Sequence, residues 1–202
     1  MKKTYFIKTF NLTRKLLLLN FIGFVISISI YLFEIYFSDS IVSIQSILPS
    51  EFYPFLEKGI EYLNFGITIL TFAILVLIGV ELVNRISNDS AQNYFRSVWR
   101  THTLRRFLIQ SERKELSEGN QKSTSINPIL QNFNRSVQKE VVDIRRDKIS
   151  VLLYVPNSGQ AQKILYDMEA QIIKEVSSYN LDYYFSKPYR VKNRIWIIGT
   201  RR

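Results

Sequence analysis

The sequence predicts a membrane protein with two transmembrane α-helices followed by a small cytosolic α+β domain. Three observations lead there. Residues 62–80 read YLNFGITILTFAILVLIGV, nineteen positions without a charge or a proline. As a helix rising ~1.5 Å per residue, this run reaches ~28 Å, about the hydrocarbon thickness of a bilayer. Residues 16–33, LLLLNFIGFVISISIYLF, form a second uncharged run. Everything after residue 84 is polar and basic, and long enough to form a domain.

Composition narrows the chemistry before any motif is considered. The chain has 202 residues and no cysteine, which excludes disulfides, thiolate zinc sites and cysteine nucleophiles and leaves the compartment open. Its single histidine, His102, removes Cys-His catalytic sets and makes most transition-metal sites implausible. The formal net charge is +10. Residues 85–202 hold 21 Lys/Arg against 11 Asp/Glu, a surplus of ten, whereas residues 1–83 hold six of each. The basic excess therefore belongs to the C-terminal part. Such a charge favours polyanions: nucleic acid, nucleotides or anionic lipid headgroups.

The first region, 1–83, is read as the transmembrane domain. Lys2, Lys3, Lys8, Arg14 and Lys15 precede the first apolar run with no acid among them. A cleaved signal peptide competes with an uncleaved span here. The run exceeds the usual signal core of about 7–15 residues, and no small-x-small cleavage site closely follows it, which favours the span. Helices are expected over about 16–37 and 62–83, joined by a short external loop at 38–61. That loop carries Asp39, Glu51, Glu57 and Glu61 against one Lys58, and Pro49 and Pro54 break it into short pieces, one of them an amphipathic segment at 41–47. Five positive charges before the first span, and Arg85, Arg96 and Arg100 after the second, place both termini in the cytoplasm of a cell inner (plasma) membrane.

Residues 84–118 are expected to prolong the second helix as a cytosolic lever, continuous or once broken. Tyr94, Phe95, Val98 and Trp99 recur at helical spacing, followed by Leu104, Phe107 and Leu108. A polar hinge at 119–125 opens a basic α+β domain, 119–202. Asn127-Pro128 is a helix start, with Asn as cap and Pro at the first helical position, and that helix runs to about residue 138. Strands follow at 141–145 and 149–155, a turn at 156–159, an amphipathic helix at 161–178, and strands at 181–185 and 191–198 forming a hairpin. The order α-β-β-α-β-β suits a small antiparallel or mixed sheet covered on one face.

Four features carry candidate chemistry, each with a plainer alternative. Asn157, Ser158 and Gly159 lie between a strand and a helix, with Lys163 one turn on; free amides there attract phosphate, or simply cap the helix. Arg145 and Arg146 sit between two strands, and Arg190, Lys192 and Arg194 cluster at the last hairpin beside Tyr183, Tyr184, Tyr189 and Trp196. Cations beside aromatic rings suit a stacked base and its phosphates; they equally suit a charged sheet edge with aromatics in the core. Arg96, Arg100, Arg105 and Arg106 follow the second span as a topology and lipid signal, or as an anion-holding ring in an oligomer. Asn20, Gly23, Ser27 and Tyr31 share one face of the first span, for packing against the second span or for lining a self-assembled pore. No metal or acid–base motif is present among the acids, so catalysis is not expected, and neither is a cofactor.

The two spans 16–33 and 62–80, the lever and the basic cytosolic clusters together resemble, at the level of architecture, the CRISPR-associated membrane effectors of anti-phage defence whose cytosolic domain binds a cyclic oligoadenylate. That resemblance implies a homo-oligomer in the lipid bilayer. It also implies an anionic nucleotide ligand, a cyclic oligonucleotide, whose binding disturbs the membrane. A structural subunit of a secretion or conjugation complex, and a membrane tether for nucleic acid, remain as alternatives.

Overall fold

The computed structural model describes residues 3–36, 52–109 and 127–202. The expected amphipathic segment at 41–47 and the hinge at 119–125 lie outside the described residues. The chain forms two compact units, one of Lys8–Glu81 and one of Met1–Ile7 with Leu82–Arg202.

The first unit holds most of two helices, α1 (Tyr5–Tyr36) and α2 (Phe52–Asn88). Both are long and apolar enough to cross a membrane. Only 6% and 17% of their most apolar windows are buried, so these side chains do not form a soluble core. Both helices begin about ten residues before their apolar runs. Pro54 does not break the chain as expected. It occupies the first turn of α2, where a missing N–H leaves no helical bond unmade. Residues 52–61 are therefore helix rather than loop.

The helices meet through a row of small and polar residues. Asn20 Nδ2 donates to Thr71 Oγ1 at 3.0 Å and to Ile67 O at 3.2 Å. Ser27 Oγ donates to Asn64 Oδ1 at 2.7 Å. Between them, a Cβ on Gly23 would lie 3.0 Å from Ile67 Cγ1. The pairs 20/71, 23/67 and 27/64 run antiparallel at spacings of three and four, as helix faces require.

The second unit contains α3 (Ala91–Leu108), α4 (Pro128–Val137), β1 (Val141–Ile144), β2 (Lys148–Tyr154), α5 (Gly159–Asp167), α6 (Glu169–Ser178), β3 (Tyr183–Phe185), β4 (Tyr189–Val191) and β5 (Arg194–Arg201). The sheet is wholly antiparallel. Its order is β1-β2-β5, and β3 and β4 lie in succession along the far edge of β5. The expected strand at 191–198 is thus divided. Val191 pairs with Arg194 across a two-residue turn in which Lys192 has φ 55°. The expected helix at 161–178 bends at Met168, yet the ladder crosses the bend: Met168 N donates to Ile164 O and Ile172 N to Met168 O.

Alternation assigns the core. Val142, Ile144, Ile149, Val151, Leu153, Ile195 and Ile197 share one face by register, and Leu104, Leu108, Phe133, Val137, Leu165, Ile172 and Val176 from the helices cover it. The opposite face is not open as expected. Val141, Asp143, Leu152 and Trp196 on it are buried, and Arg85, from the last turns of α2, reaches Asp143 there.

The largest departure from expectation is α3. The α2 helix stops at Asn88, the single break the expected lever allows, and Ser90 caps a new one by accepting from Gln92 N. α3 lies along β1, the edge strand. Arg146 N donates to Asp89 Oδ1, Ile144 N to Ser97 Oγ and Val142 N to Thr101 Oγ1, while Arg105 Nε donates to Glu140 O. Four helical residues rise ~6.0 Å and two strand residues ~6.8 Å, so positions four apart on α3 match positions two apart on β1. A helix thereby closes an edge that would otherwise offer unpaired backbone groups.

Candidate functional site

Docking its polar row on β1 leaves the aromatic row of α3 outside. Trp99 is 70% exposed and Phe95 65%. Together with Arg96, Arg100 and His102 they form one wall of a cleft of about 1080 Å³. The opposite wall comes from Tyr179, Asn180, Leu181, Asp182 and Tyr183, between α6 and β3; Arg146 from the β1–β2 turn and Arg201 from the end of β5 close it.

Several side chains in the cleft are already oriented. The Arg100 guanidinium lies 4.2 Å from the Tyr179 ring centroid, a cation–π distance. A hydrogen bond and the negative charge of Glu175 raise the Tyr179 phenol above its ordinary value. Tyr183 donates its hydroxyl to Arg145 O at 2.9 Å. Burial is the main cause of its raised pKa, with Asp89 and Asp182 adding to the shift and Arg201 and Arg96 opposing it. All four of these charged residues line the same cleft as Tyr183. Asp89 is committed elsewhere: its Oδ1 accepts from Arg146 N at 2.7 Å and from Asn93 Nδ2 at 2.8 Å, and its Oδ2 faces Arg85 at 3.6 Å. The cleft thus presents four guanidiniums, exposed aromatic surface and one carboxylate, Asp182, whose charge is not engaged by a salt bridge among the described residues. Guanidinium forks match phosphate geometry, and aromatic faces take planar rings of any sequence.

The nine ligand-binding residues expected from sequence fall at two ends of the sheet. Arg146 lines the cleft; its neighbour Arg145 instead donates Nε to Asp143 Oδ2 at 3.3 Å. The others sit at the far end of β2, six residues or ~20 Å away. There Val155 N donates to Asn193 O, which brings the 156–159 turn, with Asn157, beside Lys192 and Arg194. Ser158 Oγ caps α5 by accepting from Ala161 N at 3.2 Å; Gly159 opens that helix, and Lys163 follows one turn on. Arg194 lies 5.7 Å from the Tyr154 ring centroid and Lys3 5.3 Å, with Lys3 Nζ donating to Tyr154 OH. Arg190 is held by Lys192 O and Tyr166 OH. This end is a basic surface around an ordinary helix cap.

Of the expected packing face, Asn20, Gly23 and Ser27 meet α2, whereas Tyr31 is 63% exposed. Arg105 is not free for an anion, because its guanidinium is buried against Glu140 O. Among the described residues, no group of three or more His, Asp or Glu is placed to hold a metal ion. Sequence reading named Arg96, Arg100 and His102 but put them on a lever, and it did not single out Tyr179 or Arg201. The alternation YFRSVWR over 94–100 was the available signal; nothing local marks Arg201.

Comparison with known proteins finds no matching family, no matching curated protein and no matching solved structure.

Proposed function

We propose that this chain is a two-span membrane effector whose basic C-terminal unit faces the cytoplasm and binds a cyclic oligonucleotide in the cleft beside α3. The observation that carries the reading is the meeting, in one 1080 Å³ cleft, of Arg96, Arg100, Arg146 and Arg201 with Phe95, Trp99 and Tyr179. The guanidiniums take phosphates and the rings take bases. α2 leads directly into this unit through its last turns, so binding has a covalent route to the second apolar helix. In this reading the ligand is a cyclic oligoadenylate, the protein acts as a homo-oligomer, and the consequence is membrane disruption in anti-phage defence.

The test uses the full chain in lipid nanodiscs and calorimetry against cyclic tri- and tetraadenylate, cyclic di-AMP, ATP and a single-stranded oligonucleotide. Saturable binding of one cyclic compound, lost at least tenfold in Arg96→Ala and Trp99→Ala, is the expected result. Steeply salt-dependent binding of every polyanion alike would point to a nucleic-acid tether instead. No binding, with other membrane proteins co-purifying, would point to a structural subunit of a larger complex.

A further inference from the structure

Arg85 is the one fully buried arginine of the described residues, at 0% exposure, and it lies on the last turns of α2. Its Nη2 pairs with Asp143 on the sheet at 2.5 Å, and its guanidinium stands 5.0 Å from the ring centroid of Phe6, in the first turn of α1. Phe6 and Arg85 belong to the same compact unit although their helices are the two candidate spans. Nη1 donates to Ile144 O at 2.8 Å, the Tyr94 ring centroid lies 5.9 Å away, and Asp89 faces Nη1 at 3.6 Å. Asp89 lines the cleft, and its other oxygen accepts from the backbone N–H of Arg146 and from Asn93 Nδ2.

One carboxylate thus has two sides. One oxygen answers to the cleft through Arg146, and the other answers to the charge that holds the ends of α1 and α2. We propose that Asp89 and Arg85 form the coupling element through which cleft occupancy reaches both apolar helices. This rests on the cleft being the ligand site. An anion held by Arg96 and Arg146 draws the 146 segment toward itself, and with it the Asp89 carboxylate bonded to the Arg146 N–H. This weakens the hold of Asp89 on Arg85 and shifts the guanidinium, still bound to Asp143 and Ile144 O, relative to the Phe6 ring. Low dielectric around a buried charge makes it sensitive to such a change. The coupling needs two arrangements that the ligand distinguishes: Asp89 turned to Arg85, and Asp89 displaced.

The experiment places 4-fluorophenylalanine at position 6 of the full chain in nanodiscs and follows its ¹⁹F resonance. The ligand-free arm compares Asp89→Asn and Asn93→Ala with Trp99→Ala. Both of the first pair disturb Asp89; Trp99→Ala alters the cleft without touching it. The expected result is a displaced Phe6 resonance in the first two variants and none in Trp99→Ala. An unmoved resonance in Asp89→Asn and Asn93→Ala, or an equal shift in all three, overturns the coupling. The second arm adds inorganic triphosphate, with binding followed by calorimetry. Binding that moves the resonance in the same direction as Asp89→Asn supports the proposal, and binding that leaves it unmoved overturns it. If neither triphosphate nor any nucleotide binds, the cleft is not the ligand site, and the ligand-free arm still decides whether Asp89 reports to Phe6.

Discussion

Ile144 gives its backbone N–H to the Ser97 hydroxyl at 2.9 Å, while that hydroxyl gives its own hydrogen to Asn93 O at 2.7 Å. A helix side chain thus replaces the neighbouring strand that β1 lacks. Thr101 repeats the arrangement two strand residues away, accepting from Val142 N at 3.0 Å and donating to Ser97 O at 2.7 Å. Ser97→Ala or Thr101→Val leaves a buried amide unsatisfied, which costs about 1–3 kcal/mol. Each is expected to lower the thermal unfolding midpoint of the full chain in detergent, and Thr101→Ser to restore most of the loss. Variants as stable as the parent would show that α3 does not seal the edge.

That relationship also explains why α3 was the least legible element. An apolar row at helical spacing ordinarily faces the core. Here Asn93, Ser97, Thr101 and Arg105 are buried, and Phe95 and Trp99 are exposed. The inversion follows from what α3 packs against. A sheet face asks for apolar residues; a bare strand edge asks for donors and acceptors. Only the position of α3 in three dimensions reveals which it meets: Leu104 and Leu108 of the same helix reach the core, while Phe95 and Trp99 line a cleft the sequence did not show. Elements governed by local chemistry were legible. Asn127 caps α4 and Pro128 follows, as their identities require. The expected strand at 149–155 is the core strand β2, and the amphipathic stretch 161–178 turns Leu165, Ile172 and Val176 to the core.

Gly199 is expected to tolerate no side chain while Phe185 is present. The two residues pair across β5 and β3, and a Cβ at 199 would lie 2.7 Å from Phe185 Cε1. The ring fills the space a side chain would take. Gly199→Ala forces the ring or the strand to move, at about 1–3 kcal/mol. Phe185→Leu in the same chain should recover part of that loss, although it is destabilising alone. Chemical unfolding of the four chains forming this cycle measures the coupling; additive effects would contradict the contact.

The α1–α2 pairing makes a prediction that exploits the absence of cysteine. Ser27→Cys with Asn64→Cys places the only two thiols of the chain where Ser27 Oγ and Asn64 Oδ1 now lie 2.7 Å apart. A short bismaleimide should join them within one chain, leaving a monomer on a denaturing gel. Gly23→Leu in that background should cut the yield severalfold, because Ile67 leaves no room. Cross-linking mainly between copies would instead assign this face to an oligomer, the pore-lining alternative for the same residues. Asn20→Leu should have a smaller effect, since hydrogen bonds between apolar helices of membrane-spanning length contribute about 0.6 kcal/mol on average.

Glu140 makes stability depend on pH in a direction opposite to that of most carboxylates. Its side chain is 1% exposed, and neither carboxyl oxygen has a hydrogen-bond partner among the described residues. Burial raises its pKa well above the ordinary value, and the nearby Arg105 charge only partly opposes this. A carboxyl raised in the folded state is easy to bury while protonated. Its contribution is therefore fully present below the unfolded value of about 4.3, and it is lost as pH rises through the folded value. Each pH unit between the two values removes about 1.4 kcal/mol. Glu140→Gln keeps the shape and removes the titration. The variant should unfold with the parent at pH 4 and be the more stable of the two at pH 8, in unfolding curves recorded across that range. If Glu140 were instead ionised against Arg105, the glutamine would be destabilising at pH 8, since it would leave the arginine charge buried without its counter-charge. The sign of the difference at pH 8 therefore decides which form of Glu140 the folded protein holds.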